Sequence, residues 1–342
     1  MPTPFLARAV SALRRFFGRP PSAEDAHRDN NRLYFSGMHQ QERMLADRPR
    51  MDFYHTAIER HIHPGDHVID LGTGTGILAA FASRRGAARV HALDHSPILK
   101  HARSLAVDNE IKNVDFISGH SSKFTLDKPV DVILHEQMGD YLFDEAMIPN
   151  VCDLRDRLLK PGGRILPACF EFYCEPVQLD TTRHVPFIWN LNVKGYDFSS
   201  MERQRPQDTD YYRLCGNDGT LVEHFLAEPA PALTFDLHTV NEATLPKDLR
   251  IQKTVTSPGR IDGLVVYFRT TVDDDLQLSS APHDPGRAPH WGFRILRTEP
   301  ADYALGDVIE VSLTVARWHD VDTWRWAHAP AAVSVSTEPA LV

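Results

Sequence analysis

The stretch Val68-Ile69-Asp70-Leu71-Gly72-Thr73-Gly74-Thr75-Gly76-Ile77 decides the fold of this chain of 342 residues. A short β-rich run feeds three glycines at alternate positions, and apolar residues resume at Ile77 with helical character. Glycines on a strand-to-helix turn let the backbone approach a ligand closely and offer it N–H groups, so a nucleotide-like ligand is expected there. The dinucleotide fingerprint Gly-x-Gly-x-x-Gly would require glycine at position 77, which is Ile. Asp70 stands two positions before Gly72, and an acid there suits a ligand with a cationic amino group.

Outward from this turn, Met51 to Pro167 alternates short β-rich runs with helical stretches. Strands are expected at Val68 to Leu71, Val90 to Leu93, Val114 to Ile117, Val130 to Leu134 and Arg164 to Pro167. Helices are expected around Leu78 to Arg85, Pro97 to Asn109 and Glu145 to Leu159, with Pro149 in a first turn. This alternation reads as a parallel sheet with helices on both faces. After Pro167 the period becomes two. Phe170, Phe172 and Cys174 alternate with Glu171, Tyr173 and Glu175, and Ile309, Val311, Leu313 and Val315 alternate with Glu310, Ser312 and Thr314. That is the pattern of a half-buried antiparallel sheet or barrel. The polar, tyrosine-rich stretch from Asn190 to Cys215 fits neither pattern and reads as an excursion from it.

With 42% hydrophobic and 24% charged residues, the chain is an ordinary globular one, long enough for two domains. No run approaches the roughly 20 apolar residues of a membrane span, so integral membrane association is not expected. Acids outnumber Lys plus Arg by 46 to 37, a formal charge of -9, which disfavours nucleic acid and favours a cationic substrate or partner. Cys152, Cys169, Cys174 and Cys215 lack the spacing of a zinc or redox site, so no metal is expected and reduced thiols in a cytoplasm are. Residues 1–33 are expected to be a basic helix or tail. Arg8, Arg14, Arg15 and Arg19 accompany an apolar face of Phe5, Leu6, Val10, Leu13 and Phe17, a pattern shared by a docking helix, a frayed terminus, a surface anchor and a transit peptide.

Asp94 ends the second strand, where a carboxylate accepts hydrogen bonds from ribose hydroxyls. Together with Asp70 and the glycines it resembles the Asp-x-Gly-x-Gly-x-Gly motif of class I S-adenosylmethionine methyltransferases. Beyond the fourth strand, His135-Glu136-Gln137-Met138-Gly139-Asp140-Tyr141-Leu142-Phe143-Asp144-Glu145 places two glutamates on a glycine-containing loop at a strand's carboxyl end. Convergent carboxylates repel each other, need a cation, and would hold a planar guanidinium in bidentate fashion. The plainer alternative is that Glu145 caps the following helix and Glu136 is solvated.

These glutamates resemble the double-E loop of the protein arginine methyltransferases. Leu159-Lys160-Pro161-Gly162-Gly163-Arg164-Ile165-Leu166-Pro167 is similar to the segment that follows that loop. Tyr34-Phe35 and Met44 to Arg50 resemble the family's lid helices, and His290-Trp291 resembles its Thr-His-Trp loop. The resemblance implies a Rossmann-like class I methyltransferase domain over 34–167 and an antiparallel β-barrel substrate domain over 168–342. A dimerisation arm near 190–215 and a homodimer follow from it.

The same resemblance implies that Glu136 and Glu145 clamp the substrate guanidinium. Arg50 would bind the carboxylate of S-adenosylmethionine, Gly72 and Gly74 its methionine part and Asp94 its ribose, with Tyr34, Phe35, Asp70 and Ser122 also at the cofactor. Met44 and Met138 would line the methyl-transfer passage, Asp47 and His290 would form an Asp–His pair, and Trp291 would wall the target arginine.

Departures from the family pattern fall on Met38 for a tyrosine, Gln137 for a tryptophan, Pro289 for a threonine and Ser122 for a glutamate at the adenine. They bear on substrate and product type. The sequence therefore reads as an S-adenosylmethionine-dependent N-methyltransferase of arginine in proteins or peptides, yielding S-adenosylhomocysteine. Three alternatives accompany this reading: an enzyme for free arginine or another small guanidino metabolite, an inactive cofactor-binding interaction subunit, and generic oxygen or nitrogen methylation.

Overall fold

A computed structural model describes residues 36–331 of the chain. Tyr34, Phe35 and the basic segment 1–33 lie outside the described residues. Two helices open the described chain, α1 (Met38–Ala46) and α2 (Arg48–His61), divided at Asp47. Asp47 caps α2 by accepting the Arg50 N–H at 3.0 Å, Pro49 occupies the first turn, and Arg60 and His61 complement the dipole at the other end.

The first sheet consists of β1 (His67–Leu71), β2 (Arg89–Asp94), β3 (Val114–Ser118), β4 (Val130–His135) and β5 (Leu159–Leu166), all parallel in the order β3-β2-β1-β4-β5. Helices α3 (Ile77–Arg84), α4 (Leu99–Asp108) and α5 (Met147–Leu158) connect them. The order reverses between β1 and β4, which opens a crevice at their carboxyl ends, the usual ligand position in doubly wound sheets. Val68, Ile69, Val90, Ala92, Val132 and Ile133 are all fully buried, as strands covered on both faces require.

Two element limits differ from the sequence expectation. α5 begins at Met147 rather than Glu145, because Ala146 adopts a left-handed φ of 58° and ends the loop there. Glu145 is therefore a loop residue and not a helix cap. β5 starts at Leu159, five residues before the expected Arg164, with an irregularity in its pairing to β4.

The second part is antiparallel. β6 (Cys169–Leu179) is followed by a hairpin of β7 (Asn192–Val193) and β8 (Tyr196–Asp197), and then by β9 (Arg213–Gly216), β10 (Val222–Phe225) and β11 (Leu233–Asp236). The chain continues with β12 (Asp248–Thr254), β13 (Gly259–Asp273), β14 (Leu276–Ser279), β15 (Phe293–Tyr303), β16 (Val308–Val315) and β17 (Trp324–Pro330). A seven-stranded sheet is built around β10-β6-β13-β15-β9, with β11 on β6 and β14 on β13, and a three-stranded sheet runs β12-β16-β17. No ladder among the described residues joins these two sheets into one closed sheet.

β16 alternates as expected, but β6 does not. Its second face is covered too, since Tyr173 stacks on Tyr267 at 4.6 Å within a further apolar cluster with Val177, Val265, Phe293 and Ile295. Glu175, expected at the solvent face, is fully buried and paired with Lys253 at 2.7 Å.

The excursion before β9 ends at Tyr212, because Arg213 to Gly216 pair with Phe293 to Leu296 at the sheet edge. Trp189 stacks on Phe187 at 4.6 Å and is covered by Arg205, while Arg297 sits 3.9 Å above the Phe187 ring and 5.2 Å from that of Tyr211. Trp189 is thus packed in its own chain, and Leu191, Phe198, Tyr211, Tyr212 and Leu214 are half-buried. The exposed apolar side chains are instead Val185, Ile188, Val193 and Tyr196. Among the described residues no helix is long and apolar enough to cross a membrane.

Candidate active site

The crevice is built from four loops. After β1, Gly72, Gly74 and Gly76 all take positive φ, at 76°, 55° and 84°. A Cβ on Gly74 would lie 3.0 Å from the Gln41 side chain of α1, and one on Gly76 would lie 3.0 Å from the Phe116 ring, so both conformation and space favour glycine. Asp70 braces the turn, accepting Thr73 Oγ1 at 2.5 Å and the Ala79 N–H at 3.1 Å with one oxygen. Its other oxygen is buried without a partner, and burial first, then Asp94 and Glu136, push its pKa up to about 7 against those hydrogen bonds. Asp94, at the end of β2, accepts the Gly74 N–H at 2.9 Å and the Ser96 N–H at 2.7 Å. Ser122 is exposed and bonded to His120 Nδ1 at 2.9 Å.

Past β4 comes the glutamate loop. Arg50 pairs with Glu136 at 3.1 Å, gives a second hydrogen bond to the Met44 carbonyl at 2.9 Å, and leaves Nε buried without a partner. Burial disfavours the Arg50 charge, and Glu136 more than offsets this, so its pKa is raised. Glu136 is itself raised by burial and held back by Arg50. Glu145 has no hydrogen-bond or ion-pair partner among the described residues, and burial first, then Glu136, Asp144 and Asp140, lift it well above the usual carboxylate range.

Aromatic anchors hold this loop. Phe143 packs on Trp318 at 4.4 Å and on Phe172 at 5.4 Å, and Tyr141 meets Trp324 edge-on at 5.6 Å. Deep burial of two rings in the antiparallel part contributes several kcal/mol, roughly 2 each, and fixes where the glutamates stand. Asp144 accepts the Tyr141 N–H at 3.1 Å and lies so close over Gly139 that a Cβ there would come within 2.0 Å of its Oδ1.

The Trp291 loop closes the fourth side. The Trp291 indole N–H donates to the Met138 carbonyl, and Asp140 accepts from the Gly292 N–H at 3.0 Å and from Arg294. Asp47 reaches this loop through the backbone N–H of His290 at 2.7 Å, not through the imidazole. His290 Nδ1 has no partner, and burial first, then Arg50 and Arg43, lower its pKa to about 3, which leaves the ring neutral.

The sequence-named residues Asp47, Arg50, Met44, Glu136, Met138, His290 and Trp291 therefore form one connected network, and Asp70, Gly72, Gly74 and Asp94 a second beside it. Three contributors escaped the sequence reading. Tyr54, fully buried, donates to the His135 carbonyl at 3.1 Å and carries Arg50 over its ring at 5.8 Å. Its position one helical turn after Arg50 was the available signal. Gln41 covers the glycine turn and Arg294 holds Asp140; neither contact has a local sequence signature.

The methyltransferase-domain family matches residues 68–163. Protein arginine N-methyltransferase PRMT10 of Oryza sativa subsp. japonica is 30% identical, with 90% of this chain and 89% of that protein covered. The chain belongs to the protein arginine N-methyltransferase family. An arginine N(omega)-methyltransferase of Streptomyces achromogenes subsp. streptozoticus is also 30% identical, over 79% of this chain and 72% of that protein. Among solved structures, the Trypanosoma brucei PRMT1 enzyme–prozyme heterotetrameric complex with AdoHcy aligns with a TM-score of 0.71 at 27% identity, covering 82% of this chain and 88% of that one.

The residues present also suit the cofactor this family uses. Arg50 carries a buried orphan donor and Asp70, at the glycine turn, a buried orphan acceptor, complementary to the carboxylate and ammonium of an amino-acid moiety.

Proposed function

We propose that this chain transfers the methyl group of S-adenosylmethionine to a guanidino nitrogen of arginine in proteins or peptides, leaving S-adenosylhomocysteine. The observation that carries this reading is the Glu136–Glu145 pair, in which one carboxylate is matched by Arg50 and the other has no ion-pair partner among the described residues. A guanidinium entering beside Glu145 supplies that charge with a planar fork of donors.

When bound, the cofactor provides an electrophilic methyl on its sulfonium sulfur. Arg50 and Asp70 hold its amino-acid end, Gly72 and Gly74 admit it closely, and Asp94 takes its ribose. Guanidinium lone pairs are delocalised, so Glu136 and Glu145 are assigned to draw positive charge onto the nitrogens they hold and leave density on the one that reacts. Orientation supplies the larger part of the rate gain. The methylated nitrogen gives up its proton to solvent water, and the bond from the His290 main-chain N–H to Asp47 positions the Trp291 loop.

The same proposal includes a barrel formed by the two antiparallel sheets around their shared core, a homodimer formed through the segment before β9, and a cytoplasmic setting suited to four free thiols. A second reading, methylation of free arginine, is favoured by the Streptomyces relative named for arginine rather than protein arginine. Mass spectrometry of arginine peptides and of free arginine, each incubated with S-adenosylmethionine, tests both. Cofactor binding with no mass gain of 14 units per methyl, about the mass of a CH₂, on any guanidine would leave the inactive interaction subunit as the reading.

A further inference from the structure

A guanidinium site inside a chain of formal charge -9 is expected to have acidic surroundings, yet three arginines stand by the Trp291 and glutamate loops, and only Arg294 among them has a carboxylate partner among the described residues. Arg43 projects from α1 beside Met44, is exposed, and has no carboxylate partner among the described residues, while its neighbour Glu42 is within reach of His39. Its charge reaches both His290 and Cys215. Arg287 donates to the Trp291 carbonyl at 3.3 Å, lies 5.5 Å over the Phe293 ring and leaves Nε buried without a partner. Two acids act on it, Asp218 and Asp47, but Asp218 is paired with Arg183 and Asp47 is occupied by two backbone N–H groups. Arg294 shares Asp140 with the Gly292 N–H, and its Nε is likewise buried and unpartnered.

Half-burying a guanidinium whose nearby acids are already committed costs free energy that an anion relieves at Arg287, while Arg294 keeps an unpartnered Nε beside its Asp140 pair. All three arginines adjoin the loop that carries Trp291 or the glutamate loop: Arg287 bonds the Trp291 carbonyl, Arg294 bonds Asp140, and Arg43 acts on His290. We propose that Arg43, Arg287 and Arg294 form an anion subsite at the mouth of the site, and that it takes a carboxylate carried by the substrate close to its target guanidine. The proposal rests on the guanidine methylation argued above and specifies its substrate as one that carries both charges. Three sources share this chemistry: the α-carboxylate of free arginine, that of a C-terminal arginine, and the side chain of an acidic neighbour in a peptide.

The test measures kcat/KM for methyl transfer from S-adenosylmethionine by the full chain. The acceptors are L-arginine, its decarboxylated analogue agmatine, an amidated peptide with one internal arginine between neutral residues, the same peptide with aspartate beside the arginine, and a peptide ending in arginine. The inference expects carboxylate-bearing acceptors to exceed their neutral counterparts by roughly tenfold or more, as loss of a charge-assisted hydrogen bond implies. The acceptor with the largest ratio identifies the source. That ratio is expected to collapse towards one in Arg43→Gln and in Arg287→Gln and to be partly kept in Arg43→Lys; being a ratio within each variant, it is insensitive to partial misfolding. Equal use of charged and neutral acceptors, or a ratio that survives both glutamine variants, overturns the subsite while leaving guanidine methylation intact. Transfer to none of the acceptors, with cofactor bound, overturns guanidine methylation and the subsite together.

Discussion

Asp47 accepts the backbone N–H of His290 at 2.7 Å with one carboxylate oxygen and that of Arg50 at 3.0 Å with the other. One side chain thus caps α2, sets Arg50 against Glu136 and ties the lid helices to the Trp291 loop. Asp47→Ala is expected to cost about 1–2 kcal/mol as a lost cap plus a lost cross-tie, and to weaken cofactor binding through Arg50. Because the tie ends on a main-chain N–H, His290→Gln should retain it. Thermal unfolding with and without S-adenosylhomocysteine checks this pair, and a Tm in Asp47→Ala equal to that of the wild type would refute it.

The two glutamates are not equivalent, and their amide variants separate them. Glu145→Gln removes an unmatched charge, whereas Glu136→Gln leaves Arg50 buried without its partner, a change that typically costs several kcal/mol, about 3. Both should lower turnover by roughly 100-fold or more, but only Glu136→Gln should lower the Tm at pH 8. Near-native turnover in both would remove the guanidinium clamp.

Much of this site was legible because its residues act locally. The glycine turn was readable from three glycines that need positive φ, whereas Arg50 and Asp47 were reached only through the resemblance of Met44 to Arg50 to the family's lid helices. Glu145 was misplaced onto a helix because Ala146, a strong helix former, takes the left-handed conformation under tertiary constraint, which no local pattern signals. Alternation in β6 suggested one wet face, but Tyr173 meets Tyr267 from a strand about 90 positions later, and such a pairing is invisible to periodicity. The Asp140–Arg294 contact escaped for the same reason.

The pH dependence of stability follows from Asp144. Burial first, then the Asp140 charge, raise its pKa from 3.8 to about 6 in the folded chain. The folded state therefore keeps a proton that the unfolded chain has lost between about pH 4 and 6, so this contribution is full below pH 4 and is lost as pH rises through 6. Its size is about 1–2 kcal/mol after allowance for partial exposure. Asp144→Asn, which keeps the acceptor for the Tyr141 N–H, should show a smaller fall in stability from pH 4 to 7 in urea titrations. Parallel pH profiles for variant and wild type would contradict the assignment.

Asp94 holds two backbone N–H groups, on Gly74 and Ser96, at the position where a ribose is expected. Asp94→Ala removes those contacts and the acceptors for the ribose hydroxyls, so cofactor affinity should fall at least about tenfold by calorimetry. Asp94→Asn keeps one acceptor oxygen and should fall less. An unchanged dissociation constant in the alanine variant would detach Asp94 from the cofactor.

Assembly can be tested at the segment before β9, whose inner side chains are already committed. Phe187, Trp189 and Tyr211 stack with Arg297 against the chain's own sheet, so deleting the whole segment would damage the fold as well as any interface. Val193 and Tyr196, by contrast, are 47% and 75% exposed on the β7–β8 hairpin, with Ile188 at 38% nearby. Apolar groups held out on a short hairpin suit a self-complementary contact, in which each copy offers the same patch and the aromatic side chain carries much of the energy. Val193→Asp combined with Tyr196→Asp should convert a homodimer to monomers and weaken cofactor binding, with little change in the Tm of the isolated fold. Light scattering at micromolar concentration reads the mass, and activity against dilution reads its consequence. A wild-type monomer whose specific activity is independent of dilution would make the hairpin a surface loop and remove the second subunit from the mechanism.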